Sequence, residues 1–415
     1  MPDPRAPASV ESRITPGGWL VLGLLVTASI LFFIDRQTLA ILKSTLANEF
    51  ALSNADYSAL LTAYMLPYTL GYLVSGQLID RWGTRRCAVA FLFFMSLATI
   101  ACGLARNFHE LLAARVLLGL AESGVVPSIY VLIAKRYPAD RRGFIITLHQ
   151  ALQSAGPILT APLVAFLTLS HGWRSSFMLP GILGFLACAA WFFMDRAPQT
   201  PAAPAKPLGA GLLANVRDTL TNPALRGVLL ARIVTDPAWF FLIYWQAAFL
   251  QERGGWTLAE LGRWTWLPPA AAAISNVTMG LWSDRLLRAG QDPATARRHA
   301  LQRLAWFAPA IALAPFLIGS KVAVLTALVI AYFMANTWLT LVNVLVTELA
   351  TKDKIATSLG VMSALGGVMS MLFNYAAGPL VDRFGYTALF VTCGCLHPLG
   401  ALILYRCYRR TPASS

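Results

Sequence analysis

The stretch A-R-V-L-L-G-L-A-E-S-G-V-V-P, Ala114 to Pro127, holds two charges inside an apolar run from Leu111 to Ala134. A helix over that run is long enough to cross a bilayer. Arg115 and Glu122 stand seven residues apart, almost two helical turns, so both side chains project from one face. An ionised side chain at a bilayer centre costs roughly 2.5–3.5 kcal/mol on the insertion scale. A chain sustains that cost where the face looks into protein rather than lipid. Two roles fit such a pair. One is an ion pair locking helices together; the other is a cation for an anionic solute beside a carboxylate that takes a proton. In I-D-R-Q-T-L-A, Asp35 and Arg36 are adjacent, hence about 100° apart on a helix, and cannot easily pair with each other. Each needs a partner on another helix or on a ligand.

The elements that must position these charges follow from composition. The 415 residues are 57% hydrophobic and only 13% charged, where a soluble chain averages about a quarter charged. The charges cluster between apolar runs of about 20 residues, the span of a hydrocarbon core. The net charge of +14 is explained by loop placement, so nucleic acid is not an expected partner. Six cysteines form no C-x-x-C pair, which leaves disulfide or metal roles unsupported. The polar leader runs straight into a full-length first span, with no cleavable signal peptide apparent.

Twelve spans are expected, near 19–42, 57–79, 87–105, 109–134, 143–169, 176–195, 226–250, 260–287, 300–319, 322–349, 355–381 and 386–407. The fold class is all-α integral membrane, with twelve transmembrane helices in two pseudo-symmetric six-helix bundles. The parts are a cytoplasmic leader 1–18, a first bundle 19–195, a linker 196–222, a second bundle 223–407 and a cytoplasmic tail 408–415. The proline-rich A-P-Q-T-P-A-A-P-A-K-P reads as an extended, solvated linker. Of the 33 Lys and Arg residues, 23 fall in the termini and even-numbered loops and 7 in odd-numbered loops. The positive-inside rule then places both termini in the cytoplasm. G-Q-L-I-D-R-W-G-T-R-R after the second span is echoed by G-L-W-S-D-R-L-L-R-A-G after the eighth, an internal repeat that supports two related halves.

The loop Gly76–Arg86 resembles the signature loop of the major facilitator superfamily, transporters built from repeated halves. Gly76 permits close helix approach, Gly83 belongs to the same motif, and Asp80 can pair with cations or cap a helix. Arg81, Arg85 and Arg86, with Asp284 and Arg285 in the second half, can latch helix ends as a gate or simply set topology. Within the superfamily the chain resembles the anion:cation symporters, which include bacterial permeases for hexuronates and galactonate. Three pieces carry that likeness: the Asp35–Arg36 motif, the Arg115–Pro127 stretch, and R-I-V-T-D-P-A-W-F-F-L-I-Y-W, Arg232 to Trp245. The last is similar to the hexuronate-type branch. The resemblance implies that Asp35 and Glu122 titrate protons, and that Arg36 and Arg115 bind a substrate carboxylate or hold those acids ionised. Arginine suits the task, because its planar fork grips a carboxylate bidentately and keeps its charge.

Hydroxyl-binding groups are expected from other helices. Tyr64, Tyr68 and Tyr72 form one stripe on span two, and Tyr68 matches a substrate-contacting position of the family. His149, Gln150 and Gln153 crowd one sector of span five, where Gln153 is similar to a ligand-binding Gln of galactonate-type permeases. Asn336 and Asn343 share a face of span ten, Asn374 lies on span eleven, and Ser363 stands where some relatives place Asn. Trp239 and Trp245 could wall the pocket. Arg232 and Asp236, four apart, can pair locally as a structural or gating element. No nucleotide-binding loop, H-E-x-x-H or serine-elbow motif occurs, so neither an ATP-driven pump nor an enzyme is expected. The reading is a proton-coupled importer of an organic anion, most simply a sugar acid, in the inner membrane. It works as a monomer and without cofactors beyond the coupling protons. An exporter of another carboxylate or a drug-like compound is the alternative.

Overall fold

Apolar backbone in lipid must satisfy its own hydrogen bonds, so each hydrophobic run closes on itself as a helix. In the computed structural model, residues 14, 16–194, 212–288, 293–350 and 355–408 are described, and every regular element among them is helical. Nine of these helices are long and apolar enough to cross a membrane. The last, Ile355–Tyr408, bends at Gly385 and so holds two spans. The φ of 73° there lies in the left-handed region that glycine tolerates best. Asn54–Trp82 and Leu267–Arg288 complete the twelve. Both are more polar than the other spans.

Several expected spans are interrupted. The fourth divides into Phe108–Glu122 and Val125–Arg136, broken at Ser123 and Gly124 immediately after the buried acid. The fifth breaks at Ser154. The eighth is preceded by a short helix, Leu258–Trp264, capped by Thr257 and Glu260 bonding reciprocally. An unexpected helix, Lys43–Phe50, follows the first span. Leu212–Thr221, after the proline-rich piece, is helical, while the proline-rich residues 197–207 lie outside the described residues. Residues 195–211, nearly all of the leader 1–18 and nearly all of the tail 408–415 lie outside the described residues.

The two bundles meet most tightly at the end opposite the chain termini. Lys43, buried to 4% exposure, pairs with Glu252 of the seventh span and donates to Asn54. Tyr386 donates to the same Glu252 at 2.9 Å, and Asn54 donates to Asp382 at 2.6 Å. The Tyr57 hydroxyl donates to the backbone oxygen of Tyr244 at 2.7 Å. Gly378 donates its backbone N–H to Ser58. Apart from the Arg36–Tyr244 bond, the hydrogen bonds described here between the bundles all lie at this end. The molecule is closed at one end and parted at the other.

Gly378 makes that closure possible. A Cβ there would sit 2.2 Å from the Asn54 carbonyl oxygen and 2.3 Å from the Ser58 hydroxyl. Gly378→Ala is therefore expected to push the bundles apart. Overpacking costs roughly 1–3 kcal/mol, enough to shift the balance between closed and open states about tenfold. An impermeant maleimide applied from the far side should label a cysteine at Tyr57 correspondingly faster; unchanged labelling refutes the assignment.

Candidate functional site

Between the bundles, on the terminal side of that closure, lies a cavity of about 270 Å³. The first bundle contributes Arg36, Met65, Tyr68, Thr69, Tyr72 and Val126 to its wall. The second contributes Arg232, Asp236, Trp239, Phe240, Leu339, Ser363, Ala364 and Gly367. The volume suits one small solute rather than a bulky drug-sized molecule.

Arg36 is the central cation of this wall. Its Nε donates to the Tyr244 hydroxyl at 3.0 Å, across the bundle interface. Its guanidinium carbon lies 4.9 Å from the Tyr68 ring, 5.5 Å from Tyr64, 5.4 Å from Phe32 and 5.6 Å from Phe240. Aromatic faces stabilise a cation without cancelling its charge. Among the described residues no carboxylate pairs with Arg36. Asp35, one residue earlier, points elsewhere, as adjacency on a helix requires. It is 1% exposed and accepts from the Thr99 hydroxyl at 2.6 Å through Oδ2, while Oδ1 has no partner among the described residues.

Behind the tyrosine wall sit Arg115 and Glu122, both fully buried. Tyr64 donates its hydroxyl to Glu122 Oε2. The Arg115 guanidinium carbon lies 4.5 Å from the centre of the same ring, so Tyr64 has Arg36 and Arg115 as neighbours and Glu122 at its tip. Glu122 Oε1 and all three Arg115 nitrogens lack hydrogen-bond partners among the described residues. Nor does any ion pair join Asp35, Arg36, Arg115 and Glu122 there. Buried polar groups are nearly always satisfied, so these open positions set Arg115 and Glu122 apart as candidate site residues. Gly119 permits the arrangement, since a Cβ there would lie 2.2 Å from the Tyr64 carbonyl oxygen. The fourth span can thus press directly on the second.

The second bundle faces Arg36 with an ion pair. Arg232 donates to Asp236 Oδ2 through Nη2 at 2.9 Å and Nε at 3.1 Å. Its Nη1 reaches Asn343 at 3.0 Å and Ser363 at 3.3 Å. Pairing at four-residue spacing was legible in the sequence; its position on the cavity wall was not. Thr69, Thr99 and Tyr244 also escaped notice. Their only signal is a lone hydroxyl in an apolar stretch, which is common in spans.

Other expected residues lie elsewhere. Gln150 is exposed and donates to Tyr130 at 3.3 Å, and Gln153 is half-buried; neither lines the cavity. His149 bonds Ser29 at 3.0 Å inside the first bundle. Asn336 donates to Ala272, Ser275 and Asn276 within the second bundle. Asn374, fully buried, accepts from Trp245 at 3.1 Å, which takes both away from the cavity and leaves Trp239 as its tryptophan. Gly76 is exposed with nothing within 4 Å of a Cβ, so it mediates no close approach here. Gly83, at φ 88°, makes the turn into the third span. Asp80, Arg81 and Arg285 are exposed, and Arg85 donates to Phe192 of its own bundle at 2.6 Å. Among the described residues, Arg81, Arg85 and Arg285 make no hydrogen bond or ion pair across the bundles in this conformation. Asp284 lies in the 267–288 helix, but its side chain is outside the described residues.

Comparison with known proteins agrees with this architecture. The Major Facilitator Superfamily matches over residues 25–373. A hexuronate transporter of Escherichia coli (strain K12) is 24% identical over 422 residues, covering 95% of each chain. A probable galactarate/D-glucarate transporter of Bacillus subtilis (strain 168) is 26% identical over 320 residues, covering 69% of this chain and 70% of its own. Among solved structures, an inward-facing, occupied bacterial homologue of the human lysosomal transporter Spinster superposes with a TM-score of 0.77. It is 20% identical and covers 96% of this chain and 98% of its own.

Proposed function

The chain belongs to the major facilitator superfamily, a family of membrane transporters, and from that premise we propose that it imports a sugar acid together with protons. The observation that carries this reading is Arg36: a guanidinium on the wall of the inter-bundle cavity, held by aromatic faces and one hydroxyl, with no acid of its own among the described residues. A solute carboxylate completes it. The hexuronate and galactarate relatives support a hydroxyl-bearing acid, and Tyr68, Thr69, Ser363 and the Arg232–Asp236 pair supply partners for hydroxyls.

Asp35 and Glu122 are the proton sites. With Arg36 and Arg115 they form two positive and two negative charges, so adding a proton leaves one cation uncompensated and ready for an anion. Tyr64 links the two events, with its ring beside both guanidinia and its hydroxyl on Glu122. Both termini face the cytoplasm by the charge bias of the loops, so the closed end is periplasmic and the parted end cytoplasmic. The two bundles rock about the cavity to alternate access, with the Lys43–Glu252 and Asn54–Asp382 contacts breaking on the outward stroke. The carrier acts as a monomer.

Uptake into proteoliposomes, with a panel of labelled organic acids and with or without an imposed pH gradient, tests the reading. Accumulation of a sugar acid only under an inward proton gradient is the expected result. Binding of neutral sugars with no acid recognised would reject it.

A further inference from the structure

Arg36 and Arg232 both reach the cavity, yet they present different chemistry. Arg36 has no carboxylate partner among the described residues. Arg232 has committed all three nitrogens: Nε and Nη2 to Asp236, and Nη1 to Asn343 and Ser363. The two sites are close. Phe240, whose ring lies 5.6 Å from the Arg36 guanidinium, stands four residues beyond Asp236 on the seventh span, a rise of about 6 Å. Arg36, Arg232, Asp236 and Ser363 all line the same cavity.

Resting on the sugar-acid reading above, we propose that Arg232, Asp236 and Ser363 form a hydroxyl-binding pole opposite Arg36, which makes the cavity selective for polyhydroxy acids with one carboxylate over those with two. A sugar hydroxyl both donates and accepts. Asp236 keeps lone pairs that Arg232 does not occupy, and the Ser363 hydroxyl can accept or donate. Together they offer a polyol mixed partners at fixed spacing. A carboxylate is acceptor-only, and at this pole it meets the negative charge of Asp236 with no free guanidinium fork to hold it. Selectivity arises from that repulsion as much as from attraction at Arg36.

The pole is also held in place. Gly366 of the eleventh span faces Asp236, and a Cβ there would lie 2.2 Å from Oδ2. The carboxylate therefore packs closely against the backbone of the eleventh span on that side. Trp239 and Phe240 line the wall next to it and suit the C–H faces of a sugar.

Competition against labelled D-glucuronate in counterflow, using the full-length wild-type protein in proteoliposomes, tests the proposal. The competitors are unlabelled D-glucuronate, D-glucarate and the hydroxyl-free cyclohexanecarboxylate. Glucuronate is expected to compete roughly tenfold or more better than either of the others. Asp236→Asn, which removes the repulsion and loosens Arg232, should bring glucarate to within about threefold of glucuronate. Ser363→Ala leaves the ion pair intact, so it should weaken glucuronate while glucarate stays poor. Equal competition by glucarate and glucuronate in the wild type overturns this proposal and leaves sugar-acid transport standing. An unchanged preference in a folded Asp236→Asn protein also overturns it. Failure of glucuronate and glucarate alike to bind overturns the functional reading and this proposal with it.

Discussion

Arg36→Ala is expected to abolish measurable sugar-acid binding while leaving a folded protein. Among the described residues the guanidinium makes one hydrogen bond, to Tyr244, and otherwise rests on aromatic rings. Little of the fold depends on it. A substrate carboxylate would gain two charge-assisted bonds there, each worth about 1.5–3 kcal/mol. Losing both lowers affinity by at least about a hundredfold. Arg36→Lys separates charge from geometry. The ammonium keeps the positive charge but loses the planar fork, so affinity should fall about tenfold while transport persists. Calorimetric titration of the purified protein with a sugar acid reads both effects, and thermal melting checks that each variant is folded. An alanine variant that binds as well as wild type would remove Arg36 from the site altogether.

The scaffold and the first bundle's charges were legible in the sequence for the same reason. A charge in a twenty-residue apolar run is so costly that its presence alone marks a buried, protein-facing position. Asp35, Arg115 and Glu122 all obey: none is more than 1% exposed. The neutral polar candidates were harder, because an amide or hydroxyl in a span is inexpensive enough to serve as helix glue. Asn336 and Asn374 do that, bonding inside the second bundle. Gln150 and Gln153 share the sequence signal of a site residue, yet the break at Ser154 and the rotation of their helix leave them off the wall.

Arg232 and Asp236 illustrate the opposite limit. Four-residue spacing predicts that they can pair, and they do. Which way the pair faces depends on the seventh span's rotation, set by distant contacts. Tyr332 donates to the Leu242 carbonyl oxygen at 3.0 Å, Trp338 donates to Thr235 at 2.9 Å, and Trp245 donates to Asn374. No local pattern encodes those contacts. The far-end closure is hidden likewise: Lys43 and Glu252 lie 209 residues apart in sequence, and each read alone as an ordinary loop charge.

Asp35→Asn and Glu122→Gln are expected to separate transport from its energy source. One proton moving with a monovalent anion is electroneutral, so the membrane potential adds nothing. Two protons carry one net positive charge, worth about 2.3 kcal/mol at 100 mV, and one pH unit adds about 1.4 kcal/mol per proton. Their sum, roughly 5 kcal/mol, concentrates a solute several-thousand-fold. Removing one site leaves about 1.4 kcal/mol, or about tenfold accumulation. Removing both leaves none. Each substitution keeps a carbonyl oxygen in place of the carboxylate, so Thr99 can still donate to the first amide and Tyr64 to the second. The wall around Arg36 therefore stays in place. Exchange of labelled for unlabelled solute needs no net proton movement and should persist in both variants. The measurement is the accumulation ratio under a fixed pH gradient and potential, set against the counterflow rate. A fall in the ratio with counterflow retained identifies the two acids as coupling groups. Wild-type accumulation in both single variants and in the double variant would show that the protons travel elsewhere.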